Sequence, residues 1–257
     1  MSPVLLGFVA SLAAGLVTSL GALPVLFGKD ISPRFSDAML GFAAGVMLAA
    51  SFFSLIIPGL EIAKSIFAYQ WVAATAVTVG VLLGAAFVAV LNEVIPHEHF
   101  MQGREGPGMP EVGRVWLFVL AITIHNLPEG LAVGVGFADG NIAGGSILAT
   151  GIGLQNAPEG LAVALALLSV GYSRGKAFAI AALTGLVEPI TGLIGAYAVS
   201  FSQLLQPWAM SFAAGAMIYV ISHEIIPETH RHGSQSAATA GLMAGLAVMM
   251  LLDLAFA

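Results

Sequence analysis

Eight long apolar stretches, separated by short polar clusters, run the length of the chain. They cover approximately residues 3–27, 37–60, 70–95, 114–136, 141–171, 175–201, 207–229 and 235–256. The clearest breaks are "GKDISPRFSD", "PHEHFMQGREGPGMPEVGR", "FADGN", "GYSRGK" and "RHGSQ". Each stretch has the ~20 residues that a helix rising 1.5 Å per residue needs to cross a ~30 Å hydrocarbon core. The pattern predicts an all-α integral membrane protein with eight transmembrane helices. These form a single transmembrane domain over residues 1–257, because no segment is long and polar enough for a soluble domain.

Composition points the same way. Hydrophobic residues make up 58% of the 257, charged residues 9%, and the mean hydropathy is +0.97. A soluble domain carries about 25% charged residues. Cysteine is absent, which removes disulfides and thiolate ligands from consideration. The net charge of −6 is spread without any run of like charge, so no nucleic-acid partner is expected. No basic residue precedes Lys29, so Met1 to Phe27 reads as a first span rather than a cleavable signal.

Charge also orients the chain. Lys29, Arg34, Arg104, Arg114, Arg174, Lys176 and Arg231 fall in alternate loops, and only Lys64 falls on the other side. By the positive-inside rule the odd-numbered loops face the cytosol and both termini lie outside, as in a multi-pass inner-membrane protein.

Two phrases repeat. "HNLPEGLAV" begins at His125 and "QNAPEGLAV" at Gln155, on the fourth and fifth predicted spans. "GFAAGVMLAASFFSLIIPGLE" and "SFAAGAMIYVISHEIIPETH" share Phe-Ala-Ala-Gly-x-Met and a later Ile-Ile-Pro, on the second and seventh. Each pair crosses the membrane in opposite directions. Nested repeats of opposite polarity mark an inverted-repeat transporter, whose site lies near the midplane between repeats. Chance likeness among Gly/Ala-rich spans is the competing explanation, and it is weakest for the nine-residue phrase.

The polar residues fall at one depth. His125, Glu129, Gln155, Glu159 and Glu188, together with Met47, each lie ~15–20 Å from an interface at 1.5 Å per residue. An unaided carboxylate there costs at least ~2.5–3.5 kcal/mol. Glu129, Glu159 and Glu188 have no intramembrane Lys or Arg to pair with, so they must be protonated or neutralised by a bound cation. His125 and Glu129 share a helix face at i, i+4, and Gln155 and Glu159 repeat that spacing. Pro128 and Pro158 free the carbonyls of Ile124 and Leu154 and open the helix beside each Glu. Gly130 and Gly160 then allow close helix approach. Carboxylate and amide oxygens alone suit Ca or Mg, whereas the His125 imidazole and a Met47 thioether shift the preference toward zinc, cadmium and iron.

Each residue also has a plainer reading. His125 with Glu129 makes a buried hydrogen-bonded pair. Gln155 glues helices, Glu188 is a lone protonated carboxyl, and Met47 is ordinary packing. Asn126 and Asn156 are either ligands or caps for the kinked backbone. At the cytosolic ends, "NEVIPHEH" and "SHEIIPETHRH" cluster His and Glu. His223 and Glu224, the deeper pair, suit a relay that accepts metal from the centre. For His97, His99, His230 and His232 that role stands beside an ordinary solvated helix end.

HNLPEG, QNAPEG and HEIIPE on eight spans, with a His-bearing loop between the third and fourth, resemble the ZIP (Zrt/Irt-like) family of divalent metal transporters. The resemblance is to the bacterial short-loop members with a two-metal centre, and it covers the whole membrane domain. It implies uptake of zinc toward the cytosol, with Cd2+ also binding and iron or manganese as further cargo. It also implies a 3+2+3 helix arrangement, a transport unit of helices 1, 4, 5 and 6, and dimers. One metal would be held by Met47, His125, Glu129, Gln155 and Glu159. The second would be held by Asn126, Glu129, Asn156, Glu159 and Glu188, with His223 and Glu224 matching the exit-side pair. Gln155 stands where many relatives have His, and Asn156 where an acid is usual. Both weaken the ligand set and relax zinc selectivity.

Two other functions compete. An intramembrane metalloenzyme is suggested by "HEIIP", but Pro227 occupies the place of a zincin's second His. A cation channel or proton-coupled carrier of another solute fits the repeats and kinks, but not the soft ligands.

Overall fold

A computed structural model describes residues 1–28, 31–94, 97–99, 103–105, 114–137, 140–169, 171–229 and 233–256. Among these, seven rods are long and apolar enough to cross a membrane: α1 (Pro3–Phe27), α2 (Pro33–Ile66), α3 (Gln70–Val94), α5 (Ile142–Ser169), α6 (Arg174–Phe201), α7 (Gln203–Thr229) and α8 (Gln235–Phe256). In the place of the predicted fourth span stands α4, a helix of 23 residues from Arg114 to Gly136. The fold is all-α and membrane-integral. A short antiparallel hairpin pairs His97–His99 (β1) with Gly103–Glu105 (β2) in the connection from α3 to α4. Only the backbone of His97 and His99 is described, and His230 and His232 lie outside the described residues.

Local chemistry sets the helix ends. Ser2 and Ser32 cap α1 and α2 by accepting from the Leu5 and Phe35 amides, and Pro3 and Pro33 take the first helical position, where no N–H is needed. At Pro24 the first rod tightens into a 3-10 turn, which Gly28 closes at φ 68°.

Three rods that the pattern reads as uninterrupted are not. α6 breaks at Leu186–Val187 and restarts at Glu188, where Pro189 has no N–H to continue the ladder. α2 and α7 each widen into a π-helical stretch, Ala50–Ile56 and Ile221–Ile225. These stretches explain an irregularity between the repeats. From Phe42 to Ile56 is one residue more than from Phe212 to Ile225. The longer π stretch lies in the copy with the extra residue, and a π turn is the local device that absorbs one.

Packing extends the repeat beyond the two pairs seen in the sequence. The principal helix contacts are α2 with α8, α3 with α7, α1 with α5, α4 with α6, and α1 with α6. Exchanging 1 with 6, 2 with 7, 3 with 8 and 4 with 5 turns this set into itself. The glycines give the register. A Cβ on Gly84 would strike the Phe212 carbonyl, and one on Gly245 the Phe42 carbonyl. Likewise Gly215 meets the Val81 carbonyl and Gly45 the Leu242 carbonyl. A shift of 170 residues carries α1 and α2 onto α6 and α7, and a shift of 161 carries α3 onto α8. Where α1 crosses α6, Gly15 and Gly185 each face the other's carbonyl, the self-complementary contact that a twofold axis requires.

These crossings leave no room for a side chain. Valine at Gly84 or Gly245 is expected to destabilise the protein by about 1–3 kcal/mol through forced separation of the helices. The check is thermal unfolding of the detergent-solubilised variants.

Candidate metal centre

The kinked middles of α4 and α5 supply the core of the site. Pro128 and Pro158 sit inside these helices, each one residue before a glutamate. His125, Glu129 and Glu159 are all buried, and one ligand atom from each falls within 4.8 Å of the others. His125 Nε2 lies 3.7 Å from Glu159 Oε1. Gln155 Nε2 donates to Glu129 Oε1, tying the two helices together at this level. Among the described residues, no Lys or Arg meets Glu129, Glu159 or Glu188.

The two asparagines extend the site toward α1 and α6. Asn126 Nδ2 donates to the Thr184 carbonyl of α6 at 3.0 Å. Asn156 Nδ2 donates to the Ala14 carbonyl of α1 at 2.9 Å and to Glu188 Oε1 at 2.8 Å. The 170-residue shift carries Ala14 onto Thr184, so the asparagines make twin contacts. They do not cap the Ile124 and Leu154 carbonyls freed by the prolines. With the nitrogen committed to a neighbouring helix, each Oδ1 is left as a buried acceptor.

Acceptors without partners are the common feature of this region. Glu129 Oε2, Glu159 Oε1, Glu188 Oε2, Gln155 Oε1, both asparagine Oδ1 atoms and His125 Nε2 are buried with no hydrogen bond. A buried polar group left unsatisfied costs about 1–3 kcal/mol. Seven such atoms on three helices form a lining rich in lone pairs and poor in donors. Two carboxylates so close also repel strongly in a low dielectric. A divalent cation removes both penalties at once, by accepting the lone pairs and cancelling the charge.

The remaining predicted residues fall as follows. Glu224 lies directly on the site, with Oε2 3.2 Å from His125 Nδ1. Its neighbour His223 is half-buried, with its ring 5.0 Å from that of Tyr219. The two are therefore divided between the centre and its flank. Met47 is fully buried in α2, in the apolar core that also contains Ile124 and Ile152, and its thioether accepts no hydrogen bond among the described residues. Glu188, at the restart of α6, joins the cluster through Asn156.

One residue went unnoticed in the sequence. Asn92 of α3 is almost wholly buried, and its Nδ2 donates to Glu224 Oε1 at 3.3 Å. It holds one oxygen of Glu224 while the other meets His125. Such a carboxylate orients an imidazole and leaves its second nitrogen facing the centre. The signal was there: an amide within an otherwise apolar span is rarely idle.

Comparison with known proteins agrees with this chemistry. Residues 97–253 match the family model described as ZIP zinc transporter. The zinc transporter ZIPB of Bordetella bronchiseptica is 52% identical over 97% of this chain and 80% of its own length. The zinc transporter GufA of Myxococcus xanthus is 48% identical over 96% and 98%. The human zinc transporter ZIP11 is 35% identical over 92% and 93%.

A cation that binds only the folded centre stabilises it by mass action. At one hundred times its Kd, zinc is expected to add about 2.7 kcal/mol. Glu159→Ala should lose this gain. Differential scanning fluorimetry of the purified protein with and without zinc reads both.

Proposed function

The chain belongs to the ZIP zinc transporter family, and from that premise we propose that it carries divalent transition-metal ions, zinc foremost, through the midplane centre of α4 and α5. It is a transporter, not an enzyme. The observation that carries this reading is the meeting of His125, Glu129 and Glu159 within 4.8 Å, buried and with no Lys or Arg beside them among the described residues. One imidazole stands against three carboxylates here, Glu129, Glu159 and Glu224, so the remaining negative charge is left to the cargo.

In this reading zinc is substrate, held transiently. Met47, His125, Glu129, Gln155 and Glu159 form a softer position. Asn126, Glu129, Asn156, Glu159 and Glu188 form an oxygen-rich one, with the two glutamates shared. A neutral amide at Gln155 binds soft ions less tightly than an imidazole, so Cd2+, iron and manganese also pass. Movement runs toward the cytosol. The distribution of Lys and Arg supports that polarity, with both termini outside in a bacterial inner membrane. Glu224 and His223 receive the ion on the way out, because Glu224 already touches His125. Ligation requires deprotonated carboxylates and a neutral His125, so binding releases protons. The working form is a homodimer.

The test is zinc uptake into proteoliposomes containing the purified protein. Wild-type protein should give saturable flux, and Glu129→Ala and Glu159→Ala should reduce it to background while still inserting. Wild-type-like flux in both variants overturns the site, and flux that never saturates favours a channel.

A further inference from the structure

Among the described residues six Ser and Thr are buried: Ser11, Thr18, Ser51, Thr184, Ser211 and Thr229. Five spend their hydroxyl on a carbonyl of their own helix three or four residues back, at 2.7–2.8 Å. Thr18 does not. Its residue is 2% exposed and its Oγ1 has no partner among the described residues. In an apolar helix the back-bond is available to any threonine. A buried hydroxyl that forgoes it calls for a cause.

The internal twofold supplies one. The 170-residue shift that carries Ala14 onto Thr184 and Gly15 onto Gly185 carries Thr18 onto Glu188. The contacts agree. A Cβ on Gly15 would lie 3.4 Å from Glu188 Oε1, and one on Gly185 would lie 2.8 Å from Thr18 Oγ1. Gly130 of α4 meets the Glu188 carbonyl, and its mate Gly160 of α5 meets the Thr18 carbonyl. Thr18 thus occupies, in the first half of the molecule, the position that Glu188 occupies in the second.

The two halves differ in reach. In one, the Glu188 carboxylate extends to Asn156 and bonds it at 2.8 Å. In the other, threonine is two atoms shorter and makes no bond to Asn126. Thr18 Oγ1 and Asn126 Oδ1 are both left bare. Where the second half sets a carboxylate against an asparagine, the first half has a hydroxyl, and the two unpartnered oxygens belong to the matching positions.

We propose that the Thr18 hydroxyl is an oxygen ligand of the second metal position, together with Asn126, Asn156 and Glu188. This rests on the function proposed above and adds a residue of α1 to it. With a neutral hydroxyl and two amides against one carboxylate outside the shared glutamates, the position contains no soft atom. It takes the harder cations such as Mn2+ with least loss relative to zinc. Thr18 is on this account a determinant of metal preference.

The test is calorimetric titration of the purified full-length protein with Zn2+ and with Mn2+, with bound metal counted by elemental analysis. Wild type should show two events, both lost or weakened in Glu129→Ala, whose carboxylate the two positions share, and the weaker alone lost in Glu188→Ala. Thr18→Val keeps the shape and removes the hydroxyl. It should weaken the second event about tenfold and leave the first within twofold. Thr18→Ser should match wild type. A second event unchanged in Thr18→Val, weakened equally by serine, or absent from wild type overturns the proposal. If valine disturbs the fold and both events vanish, Thr18→Ala against Thr18→Ser makes the same comparison. A first event indifferent to Glu129→Ala would instead overturn the function proposed above.

Discussion

Carboxylates in hydrocarbon with no Lys or Arg beside them among the described residues are the constraint on which this molecule is organised. Glu129, Glu159 and Glu188 pay full desolvation, and no Lys or Arg is brought to them among the described residues. Helix α5 sets an amide donor against Glu129 and another against Glu188, each satisfying one oxygen and leaving the other bare. Gln155 holds one oxygen of Glu129, and Asn156 one oxygen of Glu188. The result is a cage that fixes its acids in place and leaves their charge for something else to neutralise.

Holding such a cage demands close backbones. The asparagines reach carbonyls of the next helix because glycine at the crossings lets those carbonyls come near. Gly130, Gly134 and Gly160 face main-chain oxygens of Glu188, Gly192 and Thr18 respectively. Between helices in lipid there is no hydrophobic drive of the usual kind, so this close packing supplies much of the attraction. The same small residues therefore serve association and ligand placement.

Much of this was legible in the sequence, because a membrane span makes every polar residue conspicuous. His125, Glu129, Gln155 and Glu159 stood out by depth and by repetition, and the structure brings them to one level. The pairing of spans two with seven and four with five was readable as shared words. The pairing of one with six and three with eight was not, since the first pair shares no phrase longer than the Gly-Leu-Val at 15–17 and 185–187 and the second only isolated Gly, Ala, Thr and Leu positions. The π stretches and the break before Glu188 escaped because they depend on hydrogen-bond register, which apolar periodicity does not encode. Asn92 and Thr18 were passed over for a different reason. Each is a single small polar group whose meaning lies in what faces it across a helix boundary.

At the crossings of α1 with α5 and α6 and of α4 with α6, Gly15, Gly21, Gly130, Gly134, Gly160 and Gly185 lie against main-chain oxygens, which cannot yield. The seam between this group and α2 and α8 is built otherwise. At Gly151 of α5 the nearest atoms are the thioether of Met249 and, further off, a methyl of Val46. Met47 is buried in the same core. Methionine is unbranched and repacks at small cost. The molecule thus has stiff masonry on one side of the acidic centre and a lubricated joint beside it. A shear between the four-helix group and α2 with α8 costs least along that joint, where the contact is a side chain that can repack rather than main chain.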